Sequence, residues 1–306
     1  MSTQQDFLQL FDKIGYNVGT NYIQNVDIHN YKSFDFFPDL VMFFAAYTVK
    51  KTFSRPTTAP KFIKNSICFF FNNPFDNDHS NKDEKPFIRV FPSTWTYTST
   101  FKKDSRVKTV SVLISAEYLK GFLNKDADQF QYLFDTSNDF LIEEIMTDDI
   151  VRTINDIVKK EPPGILSDYH YKLKAMELIF HLFKSLSKRE QSVHQKLSDK
   201  DVKSIYKVRD KIIASLDKPT AITELKQIAE MNELKMRRIF TQVFGMGIYD
   251  YYQHFRMQEA ARLIREEKLS VSEAGYQIGF ENLSHFSRTF EKYIGQKPKK
   301  YAQKIS

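Results

Sequence analysis

The C-terminal third of this 306-residue chain repeats itself at an offset of fifty residues, and this repeat restricts the fold more than any other feature. Between residues 232 and 251, five positions hold the same residue as the position fifty residues later, with no gap in the alignment. The pairs are Asn232/Asn282, Arg238/Arg288, Phe240/Phe290, Gly245/Gly295 and Tyr251/Tyr301, and Ile228/Ile278 lies just upstream. Self-similarity at a fixed period indicates one supersecondary unit used twice.

The first copy has the pattern of a short helix, a tight turn and a second helix. Residues 221–230 predict the leading helix, and Met231 and Asn232 predict the turn. Residues 233–244 predict the second helix, which ends at Gly245 because glycine readily adopts the left-handed conformation that stops a helix. This copy therefore predicts a helix-turn-helix unit.

The second copy gives the same prediction from different local signals. Ser270 and Glu273 have the spacing of a capping box at the start of the leading helix. Gly279 allows the turn, Asn282 caps the second helix, and that helix spans residues 283–294 before the next glycine. The C-terminal third is therefore predicted to be all-α, with two helix-turn-helix units.

Helical spacing also predicts which face of each second helix is exposed. Met236 and Phe240 form an i, i+4 pair, as do Phe286 and Phe290, so both pairs are expected to face the core. The opposite face carries Leu234, Arg237 and Arg238 in the first copy, and Ser284, His285 and Arg288 in the second. Arginines at equivalent positions suit the major groove of DNA, where arginine contacts guanine with two hydrogen bonds, although one exposed arginine alone is more often a solubility feature.

The charge distribution favours a polyanionic partner for the same region. The whole excess of +7 lies in residues 200–306, which hold 20 basic and 13 acidic residues, although a modest basic balance is often only a solvated surface. Residues 247–269 predict a connecting helix that holds the second helices ~30 Å apart, close to one turn of B-DNA at ~34 Å. The phosphate contacts are predicted to come from Asn282, Lys292, Lys297, Lys299 and Lys300, near the start and end of the second unit.

The N-terminal part has a different pattern, with short aromatic runs separated by prolines and asparagines. The predicted strands are residues 21–28, 32–37, 40–53, 62–71, 87–91, 95–101 and 107–114. Helical periodicity begins at Ser115 and continues in residues 139–160. This pattern predicts a β-barrel or sandwich followed by helices, so the whole chain is of the α+β class.

We expect a domain boundary where the sequence becomes polar and loses its periodicity. Residues 1–187 are predicted to be one domain, β-rich over 1–114 and helical over 115–187. Residues 188–200 are predicted to be a linker, and residues 201–306 the second domain. Within helix 165–187, one continuous apolar stripe is expected from Leu173, Met176, Ile179, Phe180, Phe183 and Leu186, which docks either on the sheet or on a second copy in a homodimer.

Several classes of protein are disfavoured by composition. A single cysteine, Cys68, excludes an internal disulfide and indicates a reducing compartment, so a cytoplasmic protein is expected. Cys68 lies in an apolar run and is interpreted as a small buried hydrophobe. Apolar runs such as residues 40–49 are too short to span a bilayer, so we expect no membrane insertion. His29 and His79 are far apart, so no metal, cofactor or catalysis is predicted.

Aromatic clusters in the N-terminal part leave two interpretations open. An apolar cavity for a fatty or aromatic effector could be lined by the residues around Phe36-Phe37, Phe43-Phe44, Phe69-Phe71 and Trp95-Thr96-Tyr97. They could equally form an ordinary core, which is the more frequent role of any one such residue.

Residues 200–306 resemble the DNA-binding domain of the AraC/XylS family of bacterial transcription regulators. The resemblance is carried by Leu225-x-x-Ile228-Ala229, Phe240-x-x-x-Phe244-Gly245, Tyr251-x-x-x-x-Arg256-x-x-x-Ala260-x-x-Leu263 and Gly279-Phe280-x-x-x-Ser284-His285-Phe286-Ser287-Arg288-x-Phe290, followed by Gly295-x-x-Pro298-x-x-Tyr301. It implies base contacts by Leu234, Arg237, Arg238, Leu283, Ser284, His285 and Arg288. One departure, Ala274 and Gly275, is expected to loosen the packing of the second unit.

Residues 1–187 resemble the N-terminal half of such regulators only in layout, which implies a cupin-like barrel and helices used in dimerisation. The predicted function is a sequence-specific regulator of promoter DNA, an activator controlled by a small molecule or partner at this domain. An activator would also have RNA polymerase as a partner. The alternatives are a sequence-tolerant architectural DNA-binding protein and a cupin-type enzyme fused to a DNA-binding module.

Overall fold

The computed structural model describes residues 3–13, 20–36, 39–56, 65–72, 86–95, 98–135, 140–159, 164–189 and 194–303. They divide into two compact units, one within Met1–Arg189 and one within Ser198–Ser306, and His194–Leu197 packs with the first. The first unit contains the β-sheet and the second is all-α, which confirms the α+β prediction.

An antiparallel sheet forms the centre of the first unit. Helices α1 (Thr3–Lys13) and α2 (Thr20–Asn25) precede the strands β1 (Val26–Phe36), β2 (Leu40–Val49), β3 (Phe53–Pro56), β4 (Ser66–Asn72), β5 (Phe87–Pro92), β6 (Thr98–Phe101), β7 (Arg106–Ser115) and, further along, β8 (Ile142–Ile145). Six strands form one sheet in the order β1-β2-β7-β4-β5-β8, and β3 pairs with β6 in a second, two-stranded sheet.

Both faces of the larger sheet are covered, which explains why the sequence of β2 is apolar at nearly every position. Side chains alternate between the faces of a strand. Leu40, Met42 and Phe44 therefore point to one face, which packs against α5 and α6, whereas Val41 and Ala45 point to the face covered by α1.

Helices from the second part of the first unit cover one face of this sheet. They are α3 (Ala116–Leu123), a 3-10 helix (Asn124–Phe130), α4 (Gln131–Phe134), α5 (Asp148–Lys159), a 3-10 turn (Gly164–Leu166) and α6 (Ser167–Leu186). In α6, Tyr171 stacks on Phe34 of β1 with ring centroids 3.7 Å apart, and the Phe183 ring meets that of Phe130 edge-on at 4.7 Å. One side of α6 therefore belongs to the core of this unit.

The single apolar stripe predicted for α6 is wrong, because its residues lie on two faces. Ile179, Phe183 and Leu186 are buried in the core, whereas Leu173 and Phe180 are 62% and 59% exposed. Each step of three residues turns a helix by about 300°, so a run of such steps drifts around the axis. Tyr169 of α6 is exposed as well, as are Ile165 and Leu166 in the 3-10 turn before the helix.

Two other expectations for the first unit are wrong. Residues 20–25 form α2 rather than a strand, because this turn places Tyr22 in a cluster with the rings of Phe7 and Tyr47. Residues 142–145 form strand β8 rather than a helix, because Glu143 pairs across the sheet edge with Arg89 of β5 at 3.2 Å. In both segments, partners distant in sequence override the local pattern.

Where the structure describes them, the aromatic residues named above lie in the core or, as Phe36 and Phe43 do, pack against it while partly buried. Phe69 and Phe71 are fully buried, and Trp95 packs against Phe91 with ring centroids 5.6 Å apart. Burial raises the pKa of the Cys68 thiol to about 12, which keeps it protonated near neutral pH. Phe37, His79 and residues 96–97 lie outside the described residues.

The described ends of the predicted linker are packed. Arg189 forms an ion pair with Glu144, and the His194 ring stacks on Tyr132 with centroids 4.0 Å apart. Burial and the nearby Arg189 charge lower the pKa of His194 to about 4, so this ring is neutral near pH 7. Helix α7 begins at Asp199, where Ser198 caps it by accepting a hydrogen bond from the Asp201 N–H.

Seven helices lie within the described residues of the second unit. They are α7 (Asp199–Ala214), α8 (Ile222–Ala229), α9 (Glu233–Phe244), α10 (Ile248–Arg265), α11 (Val271–Gln277), α12 (Leu283–Ile294) and α13 (Pro298–Gln303). Helices α8 and α9 form the first helix-turn-helix unit, and α11 and α12 form the second. Helix α10 contacts α7 and α9 of the first half of this unit and α11, α12 and α13 of the second half.

None of the described helices has the length and apolarity needed to cross a lipid bilayer.

Candidate nucleic-acid interface

The second helices of the two units begin and end in the same way. The side-chain oxygen of Asn232 accepts a hydrogen bond from the Lys235 N–H at 2.8 Å, and that of Asn282 accepts from the N–H groups of Ser284 and His285 at 2.9 and 3.0 Å. The glycines that follow α9 and α12 are both left-handed, with φ of 75° and 82°. The cap predicted at Asn282 is therefore present, and Asn232, predicted only as part of the turn, caps α9 in the same way.

The buried faces of these helices also match. Phe240 meets Tyr251 edge-on at 5.2 Å, and fifty residues later Phe290 meets Tyr301 at 5.5 Å. Met236, Phe240, Phe286 and Phe290 are all fully buried, as helical spacing predicts. Because each core holds one side of its helix, the opposite side is fixed towards solvent.

The exposed face of α9 carries the three side chains that the sequence places there. Leu234 is 79% exposed, and Arg237 and Arg238 are also exposed. Arg237 donates a hydrogen bond from Nε to Glu233 Oε1 at 2.8 Å. Arg238 forms no hydrogen bond or ion pair with any residue that the structure describes.

The exposed face of α12 carries Ser284, His285 and Arg288. The His285 ring lies against that of the buried Phe280, with centroids 5.4 Å apart. Arg288, like its counterpart Arg238, has no hydrogen-bond or ion-pair partner within the described part of the chain. This face therefore offers hydroxyl, imidazole and guanidinium groups to a partner.

Leu283 differs from the other residues predicted to contact bases, because it is half-buried. It packs with the core of the second helix-turn-helix unit, beside Gly275 of α11. A Cβ at position 275 would lie 3.0 Å from Leu283 Cδ2 and 3.1 Å from Phe286 Cδ1. The loosening expected from Gly275 is therefore wrong: the missing side chain allows a close approach of α11 and α12.

The residues predicted to contact phosphates lie in two different electrostatic settings. Lys297, Lys299 and Lys300 are exposed and have no ion-pair partner among the described residues. Lys292 Nζ instead lies 3.4 Å from Asp250 Oδ1, which also accepts a hydrogen bond from the Tyr293 hydroxyl at 2.7 Å. The Asp250 charge would oppose a phosphate beside Lys292.

A buried arginine that the sequence analysis did not assign to the site fixes the turn between α11 and α12. Arg256 of α10 is 8% exposed and donates from Nε to the Ile278 carbonyl at 2.7 Å. Its guanidinium lies 3.9 Å from the centre of the Phe280 ring, and Phe280 supports His285. Burial lowers the pKa of the Arg256 guanidinium from its usual value.

Glu233 was also missed, although its spacing could have revealed it. It lies four residues before Arg237, which is the favourable order for a glutamate–arginine pair on a helix. Its carboxylate is partly exposed on α9, beside the side chains predicted to contact DNA.

The described residues contain no group of three or more His, Cys, Asp or Glu side chains arranged to hold a metal ion. His29, named above with His79, is hydrogen-bonded to the Thr48 hydroxyl at 2.7 Å.

Comparisons with known proteins concern mainly the second unit. The family model described as a helix-turn-helix domain matches residues 225–304. The chain is 28% identical over 95 residues to the HTH-type transcriptional regulator GlxA of Rhizobium meliloti (strain 1021), covering 31% of this chain and 29% of GlxA. It is 27% identical over 126 residues to the HTH-type transcriptional activator RhaR of Escherichia coli (strain K12), covering 41% and 45%. The chain thus spans less than half the length of these curated relatives.

A solved structure similar to this chain is that of a probable AraC family transcriptional regulator from Rhodopseudomonas palustris CGA009. Its TM-score is 0.31 at 24% identity, and the match covers 34% of this chain and 97% of that one.

Residues 225–304 are therefore a helix-turn-helix domain. The resemblance to AraC/XylS regulators that the sequence indicates is confirmed for this part of the chain.

Proposed function

We propose that this chain is a sequence-specific DNA-binding transcription regulator. One observation carries the proposal: Arg238 and Arg288, at equivalent positions of the two units, are exposed and have no partner among the described residues. Both helices are capped, and the face opposite each arginine is buried in a core. A guanidinium group held in this way suits a bidentate contact to guanine in the major groove. Base contacts come from the exposed residues of α9 and α12 and phosphate contacts from Lys297, Lys299 and Lys300.

The length of α10 supports the use of both units on one duplex. Its 18 residues correspond to about 27 Å at 1.5 Å per residue, which approaches the ~34 Å of one B-DNA turn. A single chain then places α9 and α12 in successive major grooves on the same side of promoter DNA.

The first unit has the role of a sensing and dimerising domain in this proposal. A small molecule or partner bound to it shifts the population of chains competent for DNA binding. The regulator is an activator, as RhaR is by name, and RNA polymerase is its second partner. The cytoplasm is the compartment where it acts.

Loss of the paired arginines is expected to change which sequences are bound. Arg238→Ala and Arg288→Ala should each cost roughly 1–3 kcal/mol on a selected site and relax the base preference at one position of that site. Lys299→Ala should weaken all sequences alike and reduce the salt dependence by about one phosphate contact. Quantitative binding to single-base variants of the site, at several salt concentrations, measures both effects. Equal losses on every sequence for the arginine variants would instead favour a sequence-tolerant architectural protein.

A homodimer is proposed to form through the exposed face of helix 165–187. Tyr169, Leu173 and Phe180 are 71%, 62% and 59% exposed, and a face this apolar favours burial against a second copy. The double variant Leu173→Glu with Phe180→Glu should convert a dimer to a monomer in sedimentation experiments. Phe122→Glu is the control, because Phe122 is 51% exposed on α3, outside this face. A wild-type chain that sediments as a monomer at all concentrations contradicts the proposal.

A further inference from the structure

Glu233 is an acidic side chain on a surface that otherwise offers positive charge to DNA. Its carboxylate accepts a hydrogen bond from Arg237 Nε at 2.8 Å, and the two side chains are 42% and 50% exposed. A surface selected only for affinity to phosphates would not carry this group, because it repels the DNA backbone. Glu233 lies in the first turn of α9, where an acidic side chain stabilises the helix N-terminus, and its contact with Arg237 gives it a second effect on this surface.

The contact leaves the part of Arg237 that recognises bases available. Guanidinium carries five N–H donors in a rigid plane. With Nε engaged by Glu233, the two terminal amino groups have no partner among the described residues. Their N–H groups can then donate to the O6 and N7 acceptors of one guanine.

The second helix-turn-helix unit lacks this arrangement. Fifty residues after Glu233 and Arg237, the chain has Leu283 and Ser287. Leu283 packs against Gly275, so this position supports the helix pair instead of a side chain on the exposed face. The two units therefore present different surfaces despite their common fold.

We propose that Glu233 is a positioning residue that determines specificity. It holds Arg237 in the orientation that reads one guanine in the half-site bound by the first helix-turn-helix unit. This inference rests on the proposed function. Fixing a long side chain before binding reduces the ordering that binding requires, and it disfavours other rotamers that would accept other bases. The first half-site is consequently stricter than the second at the base pair read by Arg237.

The test begins with selection of duplexes from a random double-stranded library by the wild-type chain. Binding to all single-base variants of the selected duplex is then measured for wild type, Glu233→Ala, Glu233→Gln, Arg237→Ala and the double variant Glu233→Ala with Arg237→Ala. Glu233→Ala should lose about two- to threefold discrimination at one G·C pair, the same pair affected by Arg237→Ala, because an exposed i, i+4 pair orients Arg237 only modestly. It should also bind the non-cognate duplexes more tightly, because a negative charge has been removed.

Glu233→Gln separates orientation from charge. Its amide oxygen still accepts a hydrogen bond from Arg237, so most of the discrimination should remain while general affinity rises. Glu224→Ala is the matched control, because Glu224 of α8 pairs with Lys211 at 2.7 Å with side chains 47% and 43% exposed. This control removes the same charge from the same domain and should leave the base preference unchanged.

Three outcomes overturn the inference. Glu233→Ala could keep its discrimination, or it could change it no more than Glu224→Ala does. It could also lose discrimination equally in the Arg237→Ala background, which would mean that Glu233 itself reads a cytosine amino group. A wild-type chain that selects no sequence at all would defeat the proposed function, which distinguishes the two failures.

Discussion

A chain in which alanine replaces Gly279 is expected to lose the fold of the second helix-turn-helix unit while the β-sheet unit stays folded. Gly279 has φ of +81°, a region that costs other residues ~1–3 kcal/mol. A Cβ there would also lie 2.2 Å from the backbone carbonyl oxygen of Asp217. Backbone must move to relieve this clash, so the total loss should be ~3 kcal/mol or more, a large share of a typical domain stability.

The chain offers a direct way to measure this effect. Trp95 is the only tryptophan and belongs to the first unit, so its fluorescence follows unfolding of that unit alone. Far-UV circular dichroism also follows the helices of the second unit. Gly279→Ala should lower the denaturation midpoint of the helical signal and leave the fluorescence transition in place.

Gly295→Ala is the matched control for this experiment. Gly295 has nearly the same φ, +82°, but a Cβ there would meet nothing within 4 Å. It should therefore cost only the conformational term of ~1–2 kcal/mol. If both variants are destabilised equally, the contact with Asp217 has no energetic role.

Arg256→Met is expected to destabilise the same region by ~2–3 kcal/mol. The substitution removes a charge-assisted hydrogen bond to the Ile278 carbonyl and the stacking of guanidinium on Phe280, although release of a buried charge offsets part of the loss. Because Phe280 supports His285, base preference at the half-site of α12 should relax as well. Chemical denaturation and binding to single-base variants of the selected duplex measure the two consequences.

Arg262→Met provides the comparison on the same helix. Arg262 pairs with Glu259 and Glu267, but its side chain is 33% exposed. Partly exposed ion pairs contribute little, so this variant should lose less than ~1 kcal/mol. Unfolding of Arg256→Met at the wild-type midpoint would show that the hydrogen bond and the stacking do not stabilise the turn.

The helices of the C-terminal compact unit could be predicted from sequence because their signals are local. Asn232, Asn282 and the Ser270–Glu273 capping box lie within one turn of the groups that they satisfy, so their spacing along the chain determines their geometry. The exposed residues of α9 follow from the same helical spacing. Local signals therefore located most of the candidate interface.

Features that depend on distant partners could not be predicted in this way. Strand β8 depends on the pairing of Glu143 with Arg89, and the sequence alone does not show that two glutamates will meet arginines. The close approach at Gly275 depends on how α11 and α12 pack. Similarly, the pairing of Lys292 with Asp250 joins residues 42 positions apart, which no periodicity reports.

The central helix α10 gives its residues to two cores. Tyr251 packs on Phe240 in the first half, and Tyr252 donates a hydrogen bond to the Leu216 carbonyl. Met257, Ala260 and Leu263 complete the apolar cluster of the second half. The side chains at the start of α10 thus belong to the core of the first half and those from Met257 onward to the core of the second, so one continuous helix joins the two halves. A break or a bend within α10 would therefore change the spacing of the two recognition helices even if each core stayed intact.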